Sequence, residues 1–299
     1  MTIFLLLVTV LSLLMGLWTL LCTLVNCSHF AFLRKKAKNM PLGDNPLVSV
    51  IIPARNEENN LGRLLESLTK QSYRNLEILV INDASTDRTE SIIREYEKKG
   101  SRIKGYSSSP EVHFTKHGKM NALLQVIPKA KGEYLVLTDA DTEEKSTCVE
   151  TALRLMRSKN ADIFSAFPAQ YSSSDLSRLL TTCMVFAIIA LPTVLINALQ
   201  WARFSIGIGQ FIMMRRSAYE ECGGYMAVKD EVCDDIAIIK RFMRSGKKYL
   251  FTTLSSEVGC YMYEDGISAF HGLERSISSV FPSTVTAFVE VLFIVVVLL

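Results

Sequence analysis

Two aspartates, Asp139 and Asp141, lie two residues apart directly after a strand-like run at residues 134–138. In an extended loop both carboxylates can turn toward one hard cation. Mg²⁺ or Mn²⁺ prefers such oxygen ligands and shares its remaining positions with substrate phosphates. Helix capping does not explain the pair, because a carboxylate at the end of a strand gains nothing from a helix dipole. The pair therefore predicts a divalent metal site.

Other charged residues lie at the ends of similar runs. Asp83 follows the apolar run 76–81, and Asp234 and Asp235 open a helical pattern. A carboxylate near an acceptor hydroxyl can serve as a general base, although an aspartate at a helix start also has a capping role. Lys119 follows a glycine and suits a diphosphate, but the P-loop pattern is absent from the sequence. These residues predict a site for a phosphorylated ligand beside the metal.

The elements that must position these side chains alternate between strand-like and helix-like patterns. Such alternation predicts a mainly parallel sheet covered by helices on both faces. Ligands bind beyond the carboxyl ends of the strands in sheets of this kind, which is where the acidic residues fall. Asn56 is expected to cap the first helix of the alternating region. The predicted strands are 48–52, 76–81, 134–138, 163–167 and 249–253, and the predicted helices are 58–69, 87–96 and 119–126.

Composition excludes several classes of protein. The 299 residues are 49% hydrophobic with a net charge of only +3, which is too apolar for a disordered chain and too weakly basic for nucleic-acid binding by bulk charge. The seven cysteines are scattered and form no C-x-x-C pair. This pattern opposes both a disulfide framework and a zinc site, and it favours a reducing compartment.

The N-terminal residues 3–25 form a run without a charged residue, which as a helix would span about 34 Å and cross a bilayer. A cleaved signal peptide is the alternative. The run lacks a basic start and is too long for a signal sequence, which favours a retained anchor. Basic residues follow the run and none precedes it, so the positive-inside rule places the following chain in the cytoplasm. The basic residues are Arg34, Lys35, Lys36 and Lys38.

A second apolar stretch lies between the predicted metal site and Asp235 in the sequence. One membrane crossing there would put Asp141 and Asp235 on opposite sides of the bilayer. We therefore expect an interfacial or buried helix over residues 179–200, bent at Pro192, and a further interfacial helix over residues 264–281. The last apolar stretch, residues 282–299, is either a membrane span cut short or a short terminal span.

Several motifs, taken in order, resemble those of family 2 glycosyltransferases, and the likeness covers about residues 46–255. It implies a GT-A-like α/β nucleotide-binding domain with a mainly parallel mixed sheet. An N-terminal transmembrane helix, interfacial helices and a C-terminal apolar segment would complete the chain. The motifs are residues 50–58, 80–87, 118–123, 139–141, 209–216, 222–225 and 232–237.

The resemblance implies a role for each donor-binding residue. Pro53, Arg55 and Glu57 would lie at the nucleotide base and ribose. Asp83 would contact the base, which is uracil if the donor is a UDP-sugar, the favoured class. Lys119 would approach the diphosphate.

The same resemblance implies the reacting groups. Asp139 would face the ribose and the metal, and Asp141 would be the principal ligand of Mg²⁺ or Mn²⁺. Asp235 would be the general base, and Asp234, where the family usually has glutamate, is a candidate for binding the nucleotide-sugar. Arg275 is a further candidate for contact with the diphosphate.

The implied reaction is a metal-assisted single displacement with inversion that moves a sugar from a nucleotide-diphosphate sugar to a membrane lipid or lipid-linked acceptor. The pattern is nearer to lipid, carotenoid and ceramide glycosyltransferases than to processive polysaccharide synthases, because Q-x-x-R-W is absent. A processive synthase and a catalytically silent nucleotide-binding scaffold are the alternatives. We expect an integral membrane protein with a cytosolic catalytic domain, in the cell membrane if the source is bacterial. The predicted segments are an anchor (1–28), a basic linker (29–45), the glycosyltransferase domain (46–263), an interfacial helix (264–281) and an apolar segment (282–299).

Overall fold

The computed structural model describes residues 2–172, 174–263 and 265–272. The chain divides into two compact units. The larger unit comprises Leu33–Gln170 and Leu199–Tyr261. The described part of the smaller unit comprises residues 2–32, 171–198 and 262–272, apart from the two gaps.

The strands of the described chain include all five that the sequence predicts. Their bounds differ from the predicted ones by at most two residues. The strands are β1 (Val48–Ala54), β2 (Leu76–Asn82), β3 (Ile103–Ser107), β4 (Tyr134–Thr138), β5 (Thr142–Glu144), β6 (Ile163–Phe167), β7 (Ala169–Ser172), β8 (Phe211–Arg215), β9 (Tyr249–Thr253) and β10 (Val258–Tyr263).

The helices of the described chain cover the predicted ones with shifted starts. Short 3-10 turns occur at Ile127–Lys129, Ala202–Phe204 and Tyr225–Val228. The helices are α1 (Thr2–Lys38), α2 (Leu61–Thr69), α3 (Thr89–Lys99), α4 (Gly118–Val126), α5 (Cys148–Lys159), α6 (Asp175–Ile189), α7 (Thr193–Leu199), α8 (Arg216–Glu221) and α9 (Asp234–Arg244).

A seven-stranded sheet with the order β3-β2-β1-β4-β8-β6-β9 forms the centre of the larger unit. Its pairs are parallel except those made by β8, which runs antiparallel to both β4 and β6. The predicted mainly parallel mixed sheet of a GT-A-like α/β fold is therefore confirmed. β5 and β10 pair antiparallel in a second, three-stranded sheet with the order β5-β10-β7.

Mostly apolar sequence explains why the central strands lie in the middle of the sheet. β2 is buried along its whole length, and β1 is buried except at Pro53, as expected of parallel strands covered on both faces. The amphipathic helix α2 contributes one apolar face to this core through leucines spaced three or four residues apart. These leucines are Leu61, Leu64, Leu65 and Leu68.

In the smaller unit, α1 covers the predicted anchor and continues into the predicted linker. Within the described chain, one helix, over Leu6–Lys38, is long and apolar enough to cross a membrane. The predicted helix over residues 179–200 is two helices, α6 and α7, with Pro192 between them. Of the predicted interfacial helix 264–281, residues 266–272 are helical. Arg275 and the segment 282–299 lie outside the described residues.

Candidate functional site

The carboxyl ends of β2, β1 and β4 lie side by side, because these parallel strands are neighbours in the sheet. The loop after β1 carries Arg55 and Glu57, the loop after β2 carries Asp83, and the loop after β4 carries Asp139 and Asp141. Strand order thus brings together residues that are far apart in sequence. The topology explains why one edge of the sheet collects these charges.

Asp83 contacts groups from three different elements. Its Oδ2 lies 3.7 Å from Nη1 of Arg55, and its Oδ1 accepts a hydrogen bond of 3.1 Å from the hydroxyl of Ser108. A Cβ atom at Gly118 would lie 2.9 Å from Oδ2 of Asp83, so this glycine lets the start of α4 approach the carboxylate closely. Since Arg55 is largely exposed, its pair with Asp83 stabilises the fold little and leaves the guanidinium accessible to a ligand.

The loops after β1 and β2 are joined by a polar network. Asn56 adopts a φ of 55° and its Oδ1 accepts a hydrogen bond of 2.8 Å from the backbone N–H of Thr86. The backbone N–H of Glu57 donates to the hydroxyl of Thr89 over 2.8 Å. Asn56 therefore fixes the two loops to each other, and the prediction that it caps a helix is wrong, since α2 begins only at Leu61.

Lys119, in the first turn of α4, reaches across to the end of β4. Its Nζ donates a hydrogen bond of 2.6 Å to Oδ1 of Asp139. Desolvation alone would lower the pKa of Lys119, but the carboxylates of Asp139, Asp234 and Asp235 outweigh it and raise the pKa well above its usual range. The ammonium group therefore stays charged throughout the physiological pH range.

The carboxylate of Asp141 is only partly satisfied by hydrogen bonds. Its Oδ1 is buried and has no hydrogen-bond partner among the described residues. Burial raises the pKa of Asp141 to about 7, and the negative charges of Asp139 and Glu57 contribute to the rise. A buried acceptor without a donor costs about 1–3 kcal/mol, so this oxygen is suited to a cation that the protein side chains do not supply.

The donor set around Asp141 fits a divalent cation shared with a ligand. In the described part of the chain, no group of three or more His, Cys, Asp or Glu side chains is arranged to hold a metal ion alone. Mg²⁺ is commonly held by one or two carboxylates together with substrate phosphates and water, so two aspartates are enough for that mode of binding.

Asp235 lies in the first turn of α9, at the other side of the site. Its Oδ2 accepts a hydrogen bond of 3.1 Å from the backbone N–H of Gly209. Burial first, and the charge of Asp234 second, raise the pKa of Asp235 to about 6. The carboxylate is thus ionised at pH 7 yet basic enough to accept a proton.

Gly207 brings the segment before β8 against the backbone of α9. A Cβ atom at Gly207 would lie 2.7 Å from the carbonyl carbon of Asp235 and 2.7 Å from the backbone nitrogen of Ile236. At Gly209 the nearest atoms, in the Asp235 side chain, would be an ordinary 3.6 Å away. Of these two positions, only 207 therefore requires glycine for steric reasons. The sequence pattern excludes a dinucleotide fingerprint here but does not reveal this packing role.

One pocket joins the metal side to Asp235. Its lining includes Pro53, Lys119, Asp139, Asp234 and Asp235. Three carboxylates face a single ammonium group among the described residues of this lining, which leaves an excess of negative charge. A ligand that carries phosphates therefore needs an additional cation to enter.

Tyr225 also lines this pocket and is a residue that the motif analysis does not single out for the site. Burial, with the nearby charge of Asp234, raises its pKa well above the usual range, so the phenol keeps its proton. Tyr225 follows two glycines with positive φ, and a Cβ atom at Gly224 would overlap the ring of Tyr219 at 2.3 Å. The Gly-Gly-Tyr sequence is the signal that points to it.

Comparison with known proteins finds a matching family model and similar sequences. The family model described as glycosyl transferase family 2 matches residues 49–223. A beta-monoglucosyldiacylglycerol synthase from Nostoc sp. is 35% identical over 106 residues, which is 35% of this chain and 22% of that protein. A GalNAc(5)-diNAcBac-PP-undecaprenol beta-1,3-glucosyltransferase from Campylobacter jejuni is 30% identical over 119 residues, 40% of this chain and 37% of that protein. The chain thus spans less than half the length of these relatives.

Among solved structures, the mannosyltransferase PcManGT from Pyrobaculum calidifontis, in complex with GDP-Man and Mn²⁺, has a similar fold. The TM-score is 0.61 at 18% sequence identity, over 94% of this chain and 76% of that one. At this level of identity the likeness shows the fold alone.

Proposed function

The chain belongs to glycosyl transferase family 2, and from this premise we propose that it moves a sugar from a nucleotide-diphosphate sugar to a membrane lipid or lipid-linked acceptor. The proposed reaction is a metal-assisted single displacement with inversion at the anomeric carbon. The observation that carries the proposal is the pocket in which Lys119, Asp139 and Asp235 meet, beside the buried and unsatisfied Oδ1 of Asp141.

The nucleotide is proposed to bind at the ends of β1 and β2. Asp83 presents a carboxylate that can accept hydrogen bonds from a base, and it is oriented by Arg55 and Ser108. Pro53, near the end of β1, and Glu57, on the loop after it, are proposed to complete this part of the site. A carboxylate acceptor suits the imide N–H of uracil, which favours a UDP-sugar as the donor.

Asp141 and Asp139 are the proposed ligands of Mg²⁺ or Mn²⁺. When bound, the ion would act as a Lewis acid that stabilises the charge developing on the diphosphate leaving group. Lys119 holds Asp139 through one oxygen, which leaves the other oxygen for a second partner. The ammonium of Lys119 lies in the same pocket and can neutralise part of the diphosphate charge.

Asp235 is the proposed general base. The N–H of Gly209 orients its Oδ2, and the N–H of Ile236 donates to its Oδ1 over 2.8 Å. A carboxylate with a pKa of about 6 can accept the proton of the acceptor hydroxyl as that oxygen attacks the sugar. Asp234 maintains this basicity through its charge, and one base of this kind is sufficient for a single displacement.

The acceptor is proposed to be membrane-borne, and α1 is proposed to anchor the chain. The helix over Leu6–Lys38 is long enough to span a bilayer, and its basic end supports a cytosolic location for the chain that follows it. The names of the two relatives include a diacylglycerol and an undecaprenol diphosphate, both of them lipids. A cytosolic pocket on a membrane anchor suits a soluble donor and a lipid acceptor. We also propose that residues 264–281 lie at the membrane interface, where they would help to deliver the lipid acceptor.

The proposal can be tested with membranes that contain the full chain. Incubation with UDP-glucose, UDP-galactose, UDP-GlcNAc and GDP-mannose, each with Mn²⁺, is followed by mass spectrometry of the extracted lipids. We expect one sugar to be added to a lipid by the unaltered chain and by the control Glu231→Gln, and not by Asp235→Asn. A product with a long sugar chain would favour a processive synthase. Transfer that persists in Asp235→Asn at saturating acceptor would refute the assignment of the base.

A further inference from the structure

The helical stretch that follows β7 breaks in the middle of an apolar sequence. α6 ends at Ile189 and α7 begins at Thr193, with Pro192 in the break. Proline has no N–H and cannot continue the hydrogen-bond ladder, so a break exposes backbone carbonyls. In water, solvent would satisfy them. In hydrocarbon, another part of the protein must do so.

Side chains of α1 donate to each carbonyl of the break. Nδ2 of Asn26 donates to the carbonyl oxygens of Ile189 over 3.0 Å and Leu191 over 2.9 Å. The indole N–H of Trp18 donates to the carbonyl oxygen of Ala190 over 3.2 Å. Three consecutive carbonyls are thus satisfied without a water molecule.

Asn26 is itself fully engaged at this place. It is only 2% exposed, and its Oδ1 accepts a hydrogen bond of 2.7 Å from the hydroxyl of Thr193, which is also buried. A buried asparagine in an otherwise apolar helix is costly unless all of its polar atoms are paired, as they are here. The residue therefore has a specific task, which is to join α1 to the break between α6 and α7.

Other hydroxyls of α1 and α6 are also satisfied within their own helices. Each donates to the carbonyl oxygen four residues earlier, the pattern that removes polar hydrogens from an apolar medium. The outward side chains of α1, α6 and α7 include large apolar ones, such as Leu21, Leu179 and Leu195, which are 51–56% exposed. The hydroxyls are those of Ser12, Thr19, Thr23, Ser28, Thr181 and Thr182.

The depth of the break follows from positions along α1. Asn26 lies eight residues and Trp18 sixteen residues before Arg34, the first basic residue after the apolar run. At 1.5 Å per residue these distances are about 12 Å and about 24 Å. The hydrocarbon core of a bilayer is about 30 Å thick. With Arg34 at the membrane surface, the break lies near the bilayer midplane.

We propose that α6 and α7 form a re-entrant hairpin that enters the bilayer beside α1, reaches its midplane at the break, and returns to the cytosolic side. The inference rests on the proposed membrane location of α1. The fifteen residues of α6 provide about 22 Å of helix, which is enough to reach a midplane about 15 Å deep, and the seven residues of α7 provide about 10 Å, which covers about two thirds of the return. A hairpin does not cross the membrane, so the chain on both sides of it stays in one compartment.

Photocrosslinking can measure this depth in the full chain. p-Benzoylphenylalanine is placed at Leu191, which is 42% exposed at the break, in membranes of palmitoyl-oleoyl phosphatidylcholine. The reference positions are Leu21 in the apolar run of α1 and Leu176 at the start of α6, both of them exposed. Mass spectrometry then locates the attached carbon on the lipid.

We expect the Leu191 and Leu21 probes to label the distal half of the acyl chains, and the Leu176 probe to label the glycerol region. The hairpin would be overturned if the Leu191 probe labelled the same region of the lipid as the Leu176 probe. It would also be overturned if the Leu191 probe crosslinked to another protein in place of lipid. If Leu21 also fails to label acyl chains, the proposed membrane location of α1 fails as well. Lipid labelling at Leu21 with a shallow Leu191 rejects the hairpin alone.

Discussion

The pH dependence of sugar transfer should separate Asp235 from Asp141. A general base must be deprotonated, so with a pKa of about 6 the active fraction of Asp235 is about one half at pH 6 and about one tenth at pH 5. Activity at saturating donor and Mn²⁺ should therefore rise about tenfold from pH 5 to pH 7 and then level off.

Asp141 should produce a second dependence on pH that responds to metal concentration. Burial raises the pKa of Asp141 to about 7, and a metal ion binds the deprotonated carboxylate in competition with the proton. The apparent dissociation constant of Mn²⁺ should increase about tenfold for each pH unit below 7. Raising the Mn²⁺ concentration should thus abolish this limb of the profile and leave the limb of Asp235 unchanged.

Removal of one charge tests the cause of the Asp235 limb. Asp234 is the second contributor, after burial, to the raised pKa of Asp235. Asp234→Asn should move the limb to lower pH, whereas Glu231→Gln, an exposed charge on the same segment, should leave it in place. Initial rates of transfer between pH 4.5 and 8 give both midpoints. The assignment of this limb to Asp235 would be refuted if its midpoint shifted with Mn²⁺ concentration at every concentration used, or if its midpoint were the same in Asp234→Asn as in the unaltered chain.

Two further substitutions test packing, each with a matched control. Gly207→Ala should lower kcat about tenfold or more, because a Cβ atom would displace the backbone that carries Asp235, while Gly209→Ala, with 3.6 Å of clearance, should have a smaller effect. Asn26→Leu should lower the stability of the protein in membranes by about 1–3 kcal/mol, since the carbonyl of Ile189 loses the donor that Asn26 supplies and the carbonyl of Leu191 keeps only the backbone N–H of Thr193. Thermal unfolding should show no such loss for Thr23→Val, whose hydroxyl serves only its own helix.

The positions of five strands and the identity of the charged residues could be predicted from the sequence because both depend on local pattern. Apolar runs of five to seven residues identify β1, β2 and β4, and acids directly after these runs fall at the same edge of a parallel sheet. Asp139, Lys119 and Asp235 were predicted to belong to one site, and they line one pocket. Their roles in binding and catalysis stay predictions.

The features that were missed depend on contacts between distant segments. Asparagine is a residue type that often caps helices, but the side chain of Asn56 accepts a hydrogen bond from Thr86 on the next loop. This contact between loops overrides the preference of asparagine for a helix cap. The requirement for glycine at position 207 arises from the approach of Asp235, which local spacing does not encode. Single-sequence patterns report helix and strand periodicity, whereas close approaches are fixed only when the sheet is assembled.

The hydrogen bonds of Asn26 show the same limit and also bear on the proposed membrane location of residues 179–199. Hydropathy alone treats residues 179–199 as a candidate span, and a span there would place Asp141 and Asp235 in different compartments. Because Asn26 supplies donors for the break between α6 and α7, the same residues can lie in hydrocarbon and still return to the side they came from. One asparagine thus makes an apolar stretch of membrane-spanning composition compatible with the proposed catalytic site, whose residues come from the chain on both sides of that stretch.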